Sequence, residues 1–413
     1  MRLMRMLTET ALQNDPRRCQ DSTEALCPNC DQGPMQVFYQ VRNIPVHSVL
    51  LMPTRERALT YPRRDLRLGF CSRCGFIANT NFDSSVHEYS TSCEETQGFS
   101  PTFNAFARNL AQHWTEQYHL QGKCALEIGC GKGEFLVLLV ELGLAKGIGI
   151  DPAFVPERLN TPVASRLEFI QDLYGEKYTH IQADVICCRH TLEHISPTGS
   201  FLSLLRRTIS KRMDTLVLFE LPDAFRVLQE SAFWDIYYEH CSYFTMGSLA
   251  RLFRRTGFDL LELGLEYDDQ YIVIAAKPSG SPTGSSLPGE DDLDTVADEV
   301  AKFPARFART KEQWLTRING MRADGKKLVV WGGGSKAVSF LTTLALDGQI
   351  DFVVDINPYK HGKFIPGTGH AVKSPETLKQ HRPDCVILMN PVYEKEVRAQ
   401  LQGMGLNPQI LPV

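Results

Sequence analysis

Long apolar runs are missing from this sequence of 413 residues. No stretch reaches the roughly 18 apolar residues that a membrane-spanning helix needs, and residues 1–15 carry Arg2 and Arg5 without the apolar core of a secretion signal. We therefore expect a cytoplasmic protein. An excess of positive charge is missing as well, because the formal net charge is -4. Neither nucleic acid nor an anionic membrane is an expected partner of such a chain.

Glycine and proline are too few for a collagen-like or low-complexity chain, with 30 Gly and 23 Pro. Hydrophobic residues make up 43% and charged residues 22%, which is typical of globular domains. At roughly 150 residues per domain, the length indicates two or three domains, each able to bury a core.

Cysteine is well represented, with twelve residues in a chain without a secretion signal, which favours thiols and metal ligands over disulfides. Two Cys-x-x-Cys pairs have the spacing of zinc knuckles, and their members are Cys27, Cys30, Cys71 and Cys74. Cys19 is a reserve ligand, but seven residues separate it from Cys27. The intervening residues 36–41, 46–52 and 66–70 are rich in β-formers, so we predict a small β-rich domain with a structural zinc ion over residues 20–85.

The middle of the chain alternates short apolar runs with helical patterns. A helix is predicted over residues 101–120, and the strands predicted after it are 124–128, 146–150, 183–187 and 215–219, with 271–276 as a closing strand. Helices are predicted between these strands, at 134–142 and 201–209. This alternation indicates an α/β domain with a parallel sheet over residues 95–278.

A glycine-rich turn lies between the first strand and first helix of this domain, and it contains Glu127, Gly129, Gly131 and Gly133. Glycines there let a ligand approach the backbone at a helix N-terminus. The spacing fits the dinucleotide pattern poorly, and an acid before the first glycine suits an amine-bearing ligand better than pyrophosphate. We therefore predict S-adenosylmethionine rather than NAD.

Two aspartates follow the next strands. Asp151 is placed to accept hydrogen bonds from a ribose diol, although a helix N-cap is an alternative. Asp172 is a weaker candidate for the adenine amine and could be an ordinary loop acid. After a polar linker and helix over residues 279–322, a second Rossmann-like domain is predicted over residues 323–413, with a glycine-rich turn before Lys336.

Taken in order, these motifs resemble the three-domain S-adenosylmethionine-dependent sugar C-methyltransferases. That family has a zinc-binding N-terminal domain, a class I methyltransferase domain and a Rossmann-like C-terminal domain. The resemblance rests on the Cys-x-x-Cys pairs, the Glu-x-Gly-x-Gly-x-Gly turn, His190-Thr-Leu-Glu-His194, Tyr237-Tyr-Glu-His240 and Asp355-x-Asn-Pro-x-Lys360. It covers nearly the whole chain.

The resemblance implies a catalytic group of His240, Tyr237 and Glu239, with His194 as a second contact. Methylating a carbon next to a ketone needs a base for the α-proton and a donor for the enolate oxygen. Histidine suits the first role near neutral pH, and a tyrosine hydroxyl suits the second. A buried structural histidine is the alternative for His240, and helix packing is the alternative for His194.

The resemblance also implies a nucleotide-linked keto-deoxysugar as substrate, with Tyr89, Lys336 and Lys360 as candidate contacts. The sequence departs from the family where a His is replaced by Tyr238 and where a His-Gly-Gly-Ser loop is replaced by residues 267–271. A C- or O-methyltransferase acting on another small molecule, such as a natural-product intermediate, is therefore an alternative. A zinc-ribbon nucleic-acid-binding protein is the less favoured one, although basic residues cluster between positions 55 and 67.

Overall fold

The computed structural model describes residues 26–86, 89–280 and 285–413. Cys19, the first residues of the predicted zinc-binding domain and part of the predicted linker lie outside these ranges. The described strands are β1 (Gln36–Pro45), β2 (Arg63–Phe70), β3 (Ile77–Asn79), β4 (Cys124–Ile128), β5 (Lys146–Ile150), β6 (Leu167–Ile170), β7 (Val185–Arg189), β8 (Leu216–Pro222), β9 (Ser242–Tyr243), β10 (Phe258–Glu266), β11 (Tyr271–Pro278), β12 (Leu328–Trp331), β13 (Phe352–Val354), β14 (Val372–Lys373), β15 (Cys385–Leu388) and β16 (Gln409–Pro412). The described helices are α1 (Arg55–Leu59), α2 (Pro101–Gln117), α3 (Glu134–Glu141), α4 (Thr198–Ile209), α5 (Ala224–Glu230), α6 (Met246–Arg255), α7 (Leu293–Ala323), α8 (Ser335–Thr343), α9 (Leu378–His381) and α10 (Glu394–Gly403).

The first sheet is antiparallel in the order β1-β2-β3-β9. Its fourth strand, β9, comes from far along the chain and begins two residues after His240, and it pairs Tyr243 with Ile77. Residues 46–52, which the sequence pattern placed among the β-rich segments, form no strand. Their backbone makes only single bridges, from Leu50 to Cys93 and from Met52 to Phe364.

The second sheet has seven strands in the order β10-β11-β8-β7-β4-β5-β6. Strands β4 to β8 run parallel, as the α/β alternation predicts. Residues 271–276 form part of β11, a strand of this sheet as predicted, and β11 lies antiparallel between β8 and β10. The edge strand β10 was not predicted, and half-exposed positions along it blur its apolar pattern.

The third sheet is parallel throughout, in the order β14-β13-β12-β15-β16. The long helix α7 leads into it and packs Phe303 against Tyr39 of the first sheet, with ring centroids 5.3 Å apart. Trp314, near the other end of α7, packs on Phe340 of α8. No helix in the described ranges is both long and apolar enough to cross a membrane.

The second and third sheets each have a topological switch point, where consecutive connections leave a central strand in opposite directions. In the second sheet β4 lies between β5 and β7, and in the third sheet β12 lies between β13 and β15. Ligands of open α/β sheets bind at the carboxyl ends of strands at such a point. The fold therefore supplies two candidate binding crevices.

Asn79 holds the segment before β9 onto the first sheet, and it is 4% exposed. Its amide nitrogen donates to the carbonyl of Tyr238 at 3.1 Å, and its amide oxygen accepts from the Arg67 N–H at 3.2 Å. We expect Asn79→Ala to lower the free energy of unfolding by about 1–3 kcal/mol, because buried backbone groups lose their partners. Denaturant titration measures this loss. The exposed Asn104→Ala is the matched control and should change stability by less than about 0.5 kcal/mol; equal effects would contradict the assignment.

Candidate active site

A cavity of about 660 Å³ lies between the two switch points and contacts residues from all three sheets or the loops that follow their strands. It brings together most of the predicted site residues, which are Tyr89, Glu127, Gly129, Gly131, Asp151, Asp172, His194, Tyr237, Glu239, His240, Lys336 and Lys360. Gly133 and the four paired cysteines do not line it.

The glycine-rich turn after β4 forms one wall of the cavity. Its backbone is left-handed at Gly129, Gly131 and Gly133, with φ of 72°, 54° and 83°. A Cβ atom on Gly129 would lie 2.0 Å from the Thr191 hydroxyl oxygen, so only glycine fits there. Gly131 donates its N–H to Asp151 at 2.8 Å, whereas Gly133 caps α3 away from the cavity. The turn therefore presents bare backbone to a ligand.

The two aspartates predicted to bind the cofactor differ in their surroundings. Asp151 also accepts from the Ala153 N–H at 2.7 Å, and burial raises its pKa. Each of its oxygens keeps a second lone pair for a ribose hydroxyl. Asp172 accepts from Lys177 and from the Tyr178 hydroxyl, and these hydrogen bonds lower its pKa to about 2. Asp172 is thus already engaged at the rim of the cavity.

Glu127 lies on β4 beside Arg189, on β7, and both are buried at the cavity wall. Arg189 donates from Nε to Glu220 at 2.6 Å, and His190 contacts the other oxygen of Glu220 at 2.9 Å. Burial alone would raise the pKa of Glu220, but the two neighbours lower it to about 2. Burial raises the pKa of Glu127 to about 8 despite the charge of Arg189. A cationic ligand would favour the ionised form of Glu127.

Two histidines form the centre of the cavity. The ring centroids of His194 and His240 are 4.7 Å apart edge to face, and the ring centroid of Tyr237 is also 4.7 Å from that of His240. His194 Nδ1 lies 3.1 Å from the carbonyl of Glu239. Because a carbonyl only accepts, Nδ1 carries the hydrogen and Nε2 is the basic nitrogen of the neutral ring. Tyr89 packs against His194 at 5.6 Å.

Two buried glutamates flank this histidine pair. Glu239 accepts from the N–H and hydroxyl of Ser48 through Oε1, while Oε2 has no hydrogen-bond partner. Oε2 of Glu193 has none either. Burial raises the pKa of both carboxyls to about 7. Donor atoms of Glu193, His194 and His240 lie within 4.8 Å of one another, so this group could also hold a metal ion.

Asp235 gathers three side chains at the far side of the pair. It accepts from the Tyr237 hydroxyl at 2.9 Å and from Arg226 at 2.7 Å, and it pairs with Lys336 of α8. Burial opposes ionisation, but Lys336 and Arg226 lower the pKa of Asp235. The hydroxyl proton of Tyr237 is therefore directed at Asp235, and Lys336, predicted to meet phosphate, has a carboxylate partner.

The second switch point repeats the construction of the first. Asp355 follows β13 and accepts from the N–H of Gly333, in the glycine-rich turn, at 2.7 Å. Asp151 makes the same contact with the turn after β4. Lys360 lies 3.4 Å from Asp355, so the second predicted phosphate contact also has an acidic neighbour.

A buried glutamate joins the two α/β units across the cavity. Glu94 is 1% exposed and pairs with Arg158, which follows β5. The same carboxylate accepts from the Asn357 amide, after β13, at 2.8 Å. Arg158 also stacks on the ring of Tyr359 at 3.6 Å. These contacts fix one switch point relative to the other.

The four paired cysteines converge next to the first sheet. Sulfur atoms of Cys27 and Cys74 are 3.7 Å apart, and those of Cys30 and Cys71 are 3.8 Å apart. A tetrahedron with Zn–S bonds of about 2.3 Å has edges of about 3.8 Å. The thiols are free, and all four sulfur atoms lie within 4.8 Å of one another. Their arrangement fits a zinc ion, and it lies apart from the cavity.

The sequence analysis assigned no role to several cavity residues, among them Arg189, His190, Glu193 and Asp235, although His190 and Glu193 belong to a motif that it singled out. Two signals were available. Arg189 and His190 follow a predicted strand on the carboxyl edge of the sheet, where ligands bind, and Asp235 lies two residues before Tyr237. The partners of these residues are distant in sequence, so their roles depend on the fold.

Known proteins resemble the chain over both α/β units. Residues 100–263 match the family "Methyltransferase domain", and residues 288–407 match "C-methyltransferase C-terminal domain". The C-methyltransferase NovU of Streptomyces niveus is 27% identical over 293 residues, which are 67% of this chain and 68% of NovU. The ribosomal protein L11 methyltransferase of Histophilus somni (strain 2336) is 36% identical over 83 residues, 19% of this chain and 27% of that protein.

The chain is an S-adenosylmethionine-dependent methyltransferase. The predicted α/β fold class, with a central methyltransferase domain, is confirmed. Among solved structures, magnesium protoporphyrin IX methyltransferase from Synechocystis PCC 6803 with bound SAH covers 43% of this chain and 84% of its own, at 14% identity and a TM-score of 0.34.

The raised pKa of Glu239 makes the stability of this methyltransferase depend on pH. The pKa is about 7 in the folded protein against an ordinary 4.5. The contribution of this carboxyl to stability is therefore full below pH 4.5 and is lost as the pH rises through about 7. Between pH 4.5 and 7, we expect the unfolding free energy of Glu239→Gln to fall by roughly 2–3 kcal/mol less than that of the parent protein. Denaturant titrations between these pH values measure it.

The exposed Glu312→Gln is the matched control. It should leave the dependence of unfolding free energy on pH unchanged. A Glu239→Gln curve with the slope of the parent would show that Glu239 ionises normally.

Proposed function

We propose that this methyltransferase transfers the methyl group to a carbon next to a ketone, on a nucleotide-linked deoxysugar, through an enolate. The observation that carries the proposal is the His194–His240 pair, which lies in one cavity with the glycine-rich turn after β4. The match of residues 288–407 to a C-methyltransferase C-terminal domain supports carbon as the acceptor. The similarity to NovU supports the same reaction class.

We assign the cofactor site to the turn after β4, with backbone at Gly129 and Gly131, the acid Glu127 and the ribose acceptor Asp151. The bare backbone and buried carboxyls fit a ligand that carries positive charge. S-adenosylmethionine, when bound, supplies the methyl group as an electrophile. Asp172 remains a weaker candidate for the adenine amine, because Lys177 and Tyr178 already occupy it.

The general base in this proposal is His240, with Tyr237 and Glu239 as helpers. A histidine removes an α-proton efficiently near neutral pH because its pKa is matched to the task. The unpaired Oε2 of Glu239 could accept a substrate hydroxyl. Tyr237 would have to turn its hydroxyl away from Asp235 to donate to the enolate oxygen. His194, with a basic Nε2, is the second candidate base.

The nucleotide end of the substrate is assigned to the second switch point, near Lys336 and Lys360. The glycine-rich turn before α8 supports this assignment, because free N–H groups at a helix N-terminus favour phosphate. Both lysines would share their charge between phosphate and the carboxylates they now face. Tyr89 lies beside the histidines and is assigned a contact with the sugar.

The function is tested by transfer of a labelled methyl group from S-adenosylmethionine to nucleotide-linked 3-keto and 4-keto sugars. We expect label on carbon, and we expect His240→Ala to lower turnover about 10²–10⁴-fold while the affinity for S-adenosylhomocysteine stays nearly constant. The exposed His180→Ala is the matched control. Label on oxygen, or labelling of only non-sugar acceptors, would contradict the proposal.

Solvent exchange isolates the base. With S-adenosylhomocysteine bound, the parent should incorporate deuterium at the α-carbon, and His240→Ala should not. A variant that exchanges at the parent rate would move the role of base to His194.

The cysteine cluster is proposed as a closed structural zinc site, with Cys27, Cys30, Cys71 and Cys74 as ligands. We expect one zinc per chain by elemental analysis. Cys71→Ser should release it and destabilise the protein strongly, because structural zinc contributes about 10–16 kcal/mol of apparent binding energy in small peptides. Cys124→Ser, at a thiol outside the cluster, is the control. Full zinc and parental stability in Cys71→Ser would overturn the site.

A further inference from the structure

One sulfur atom of the cysteine cluster accepts a hydrogen bond from a side chain that is not a cysteine. Asn29, in the turn between Cys27 and Cys30, directs its amide nitrogen Nδ2 at the Sγ atom of Cys74, 3.6 Å away. Asn29 is 1% exposed and Cys74 is 6% exposed. Within the described ranges, Asn29 is the one side chain outside the cluster that donates to a cluster sulfur. The contact is therefore buried and singles out one of the four thiols.

The orientation of this amide is fixed from its other end. The Thr198 hydroxyl, at the start of α4, donates to Oδ1 of Asn29 at 3.1 Å, and Thr198 is fully buried. A reversed amide would place its oxygen against the sulfur of Cys74, and the negative charge of a thiolate would repel that oxygen. The hydroxyl therefore keeps the N–H of Asn29 directed at Cys74.

The turn that carries Asn29 packs directly on the first turn of α4. A Cβ atom on Gly199 would lie 3.1 Å from the carbonyl oxygen of Asn29, so a larger side chain there would push the turn and the helix apart. Residues 195–197 alone separate His194 from the start of α4. Asn29 thus joins the cysteine cluster to the segment that carries one of the two cavity histidines.

The chemistry of the cluster gives this hydrogen bond a role when a metal is bound. Four thiolates carry more negative charge than one zinc ion neutralises, and burying the excess charge is costly without hydrogen-bond donors. A metal-bound thiolate can accept but not donate, so an amide N–H is a suitable partner. Partners that hydrogen-bond to metal ligands typically change metal affinity about 10–100-fold.

We propose that Asn29 is a positioning residue of the zinc site, which donates to the Cys74 thiolate through Nδ2 and ties it to α4 through Oδ1. The assignment rests on the proposed zinc site. It extends that site beyond its four cysteines to the methyltransferase unit. Asn29 acts on the ion only through Cys74, and it makes no bond to the metal.

The test measures the rate of zinc release from the full-length protein into a chromogenic chelator. We expect Asn29→Leu, which has as many side-chain heavy atoms but no donor, to release zinc about 10–100-fold faster than the parent. Thr198→Val is the matched variant, because it breaks the contact of Asn29 with α4 and leaves the donor at Cys74. It should release zinc within a few fold of the parent, as should the exposed Asn160→Leu.

Cobalt in place of zinc distinguishes a hydrogen bond to sulfur from a general loss of packing. A thiolate that loses a donor gives up its electrons more readily, so the thiolate-to-cobalt charge-transfer band of Asn29→Leu should move to longer wavelength. The band of Thr198→Val should stay at the position of the parent. If Asn29→Leu does not fold, Asn29→Asp tests the same donor, because its carboxylate keeps the acceptor for Thr198 and cannot donate.

The outcomes separate this inference from the site on which it rests. Faster release and a moved band in the Asn29 variants, with parental behaviour in Thr198→Val, support the proposal. Parental release and an unmoved band in a folded Asn29 variant overturn it, and so does equal acceleration in Thr198→Val, which would assign the effect to packing. A parent that holds no zinc would instead show that the zinc site itself is wrong.

Discussion

The pairing of β9 with β3 is the contact on which the arrangement of the cavity depends. Strand β9 begins two residues after His240, and its Tyr243 pairs with Ile77, three residues after Cys74. The Tyr243 hydroxyl in turn donates to the carbonyl of Tyr237 at 2.9 Å. Residues 235–243 are therefore fixed at one end by the sheet beside the cysteine cluster. At the other end they are fixed by the contact of Asp235 with α8. A metal ion that stabilises the knuckles would stabilise the histidines indirectly, although it lies outside the cavity.

The acidic side chains of the cavity fall into two groups, which differ in whether basic neighbours offset the effect of burial on their pKa. Glu127, Glu193 and Glu239 all have a raised pKa because each is removed from water, and each keeps one oxygen without a partner. Glu220 is also buried and Asp235 is largely so, but each contacts two basic side chains and has a lowered pKa. The first group can respond to a ligand, since a cation or hydroxyl would change its protonation, whereas the second group serves as a fixed part of the framework. The direction of the pKa shift thus distinguishes acids that could face a ligand from acids that hold the framework, and the position of these acids in the sequence does not.

How much could be predicted from the sequence depended on the range of the interactions involved. The glycine turn, β4, β5 and α2 were predictable because local periodicity and backbone freedom determine them. β9 was not, because a two-residue strand exists only through its distant partner, and β10 was missed because its apolar pattern is interrupted. Among site residues, His194 and His240 could be named from their motifs, and the cavity brings them together. Arg189 could not be named in this way, because its place at the cavity wall depends on contacts with Glu220 and Phe135, which are distant in sequence.

The repeated construction of the two switch points explains why two α/β units share one cavity. Each has a glycine turn whose N–H donates to the aspartate after the neighbouring strand, Asp151 in one and Asp355 in the other. One ligand would bind at the carboxyl ends of the strands of the second sheet, and another at those of the third sheet. Groups of the two ligands that react with each other would then meet between the two sheets. The two histidines, His194 and His240, line the cavity that contains both crevices. Glu94 binds both Arg158 and Asn357, which keeps the two edges facing each other.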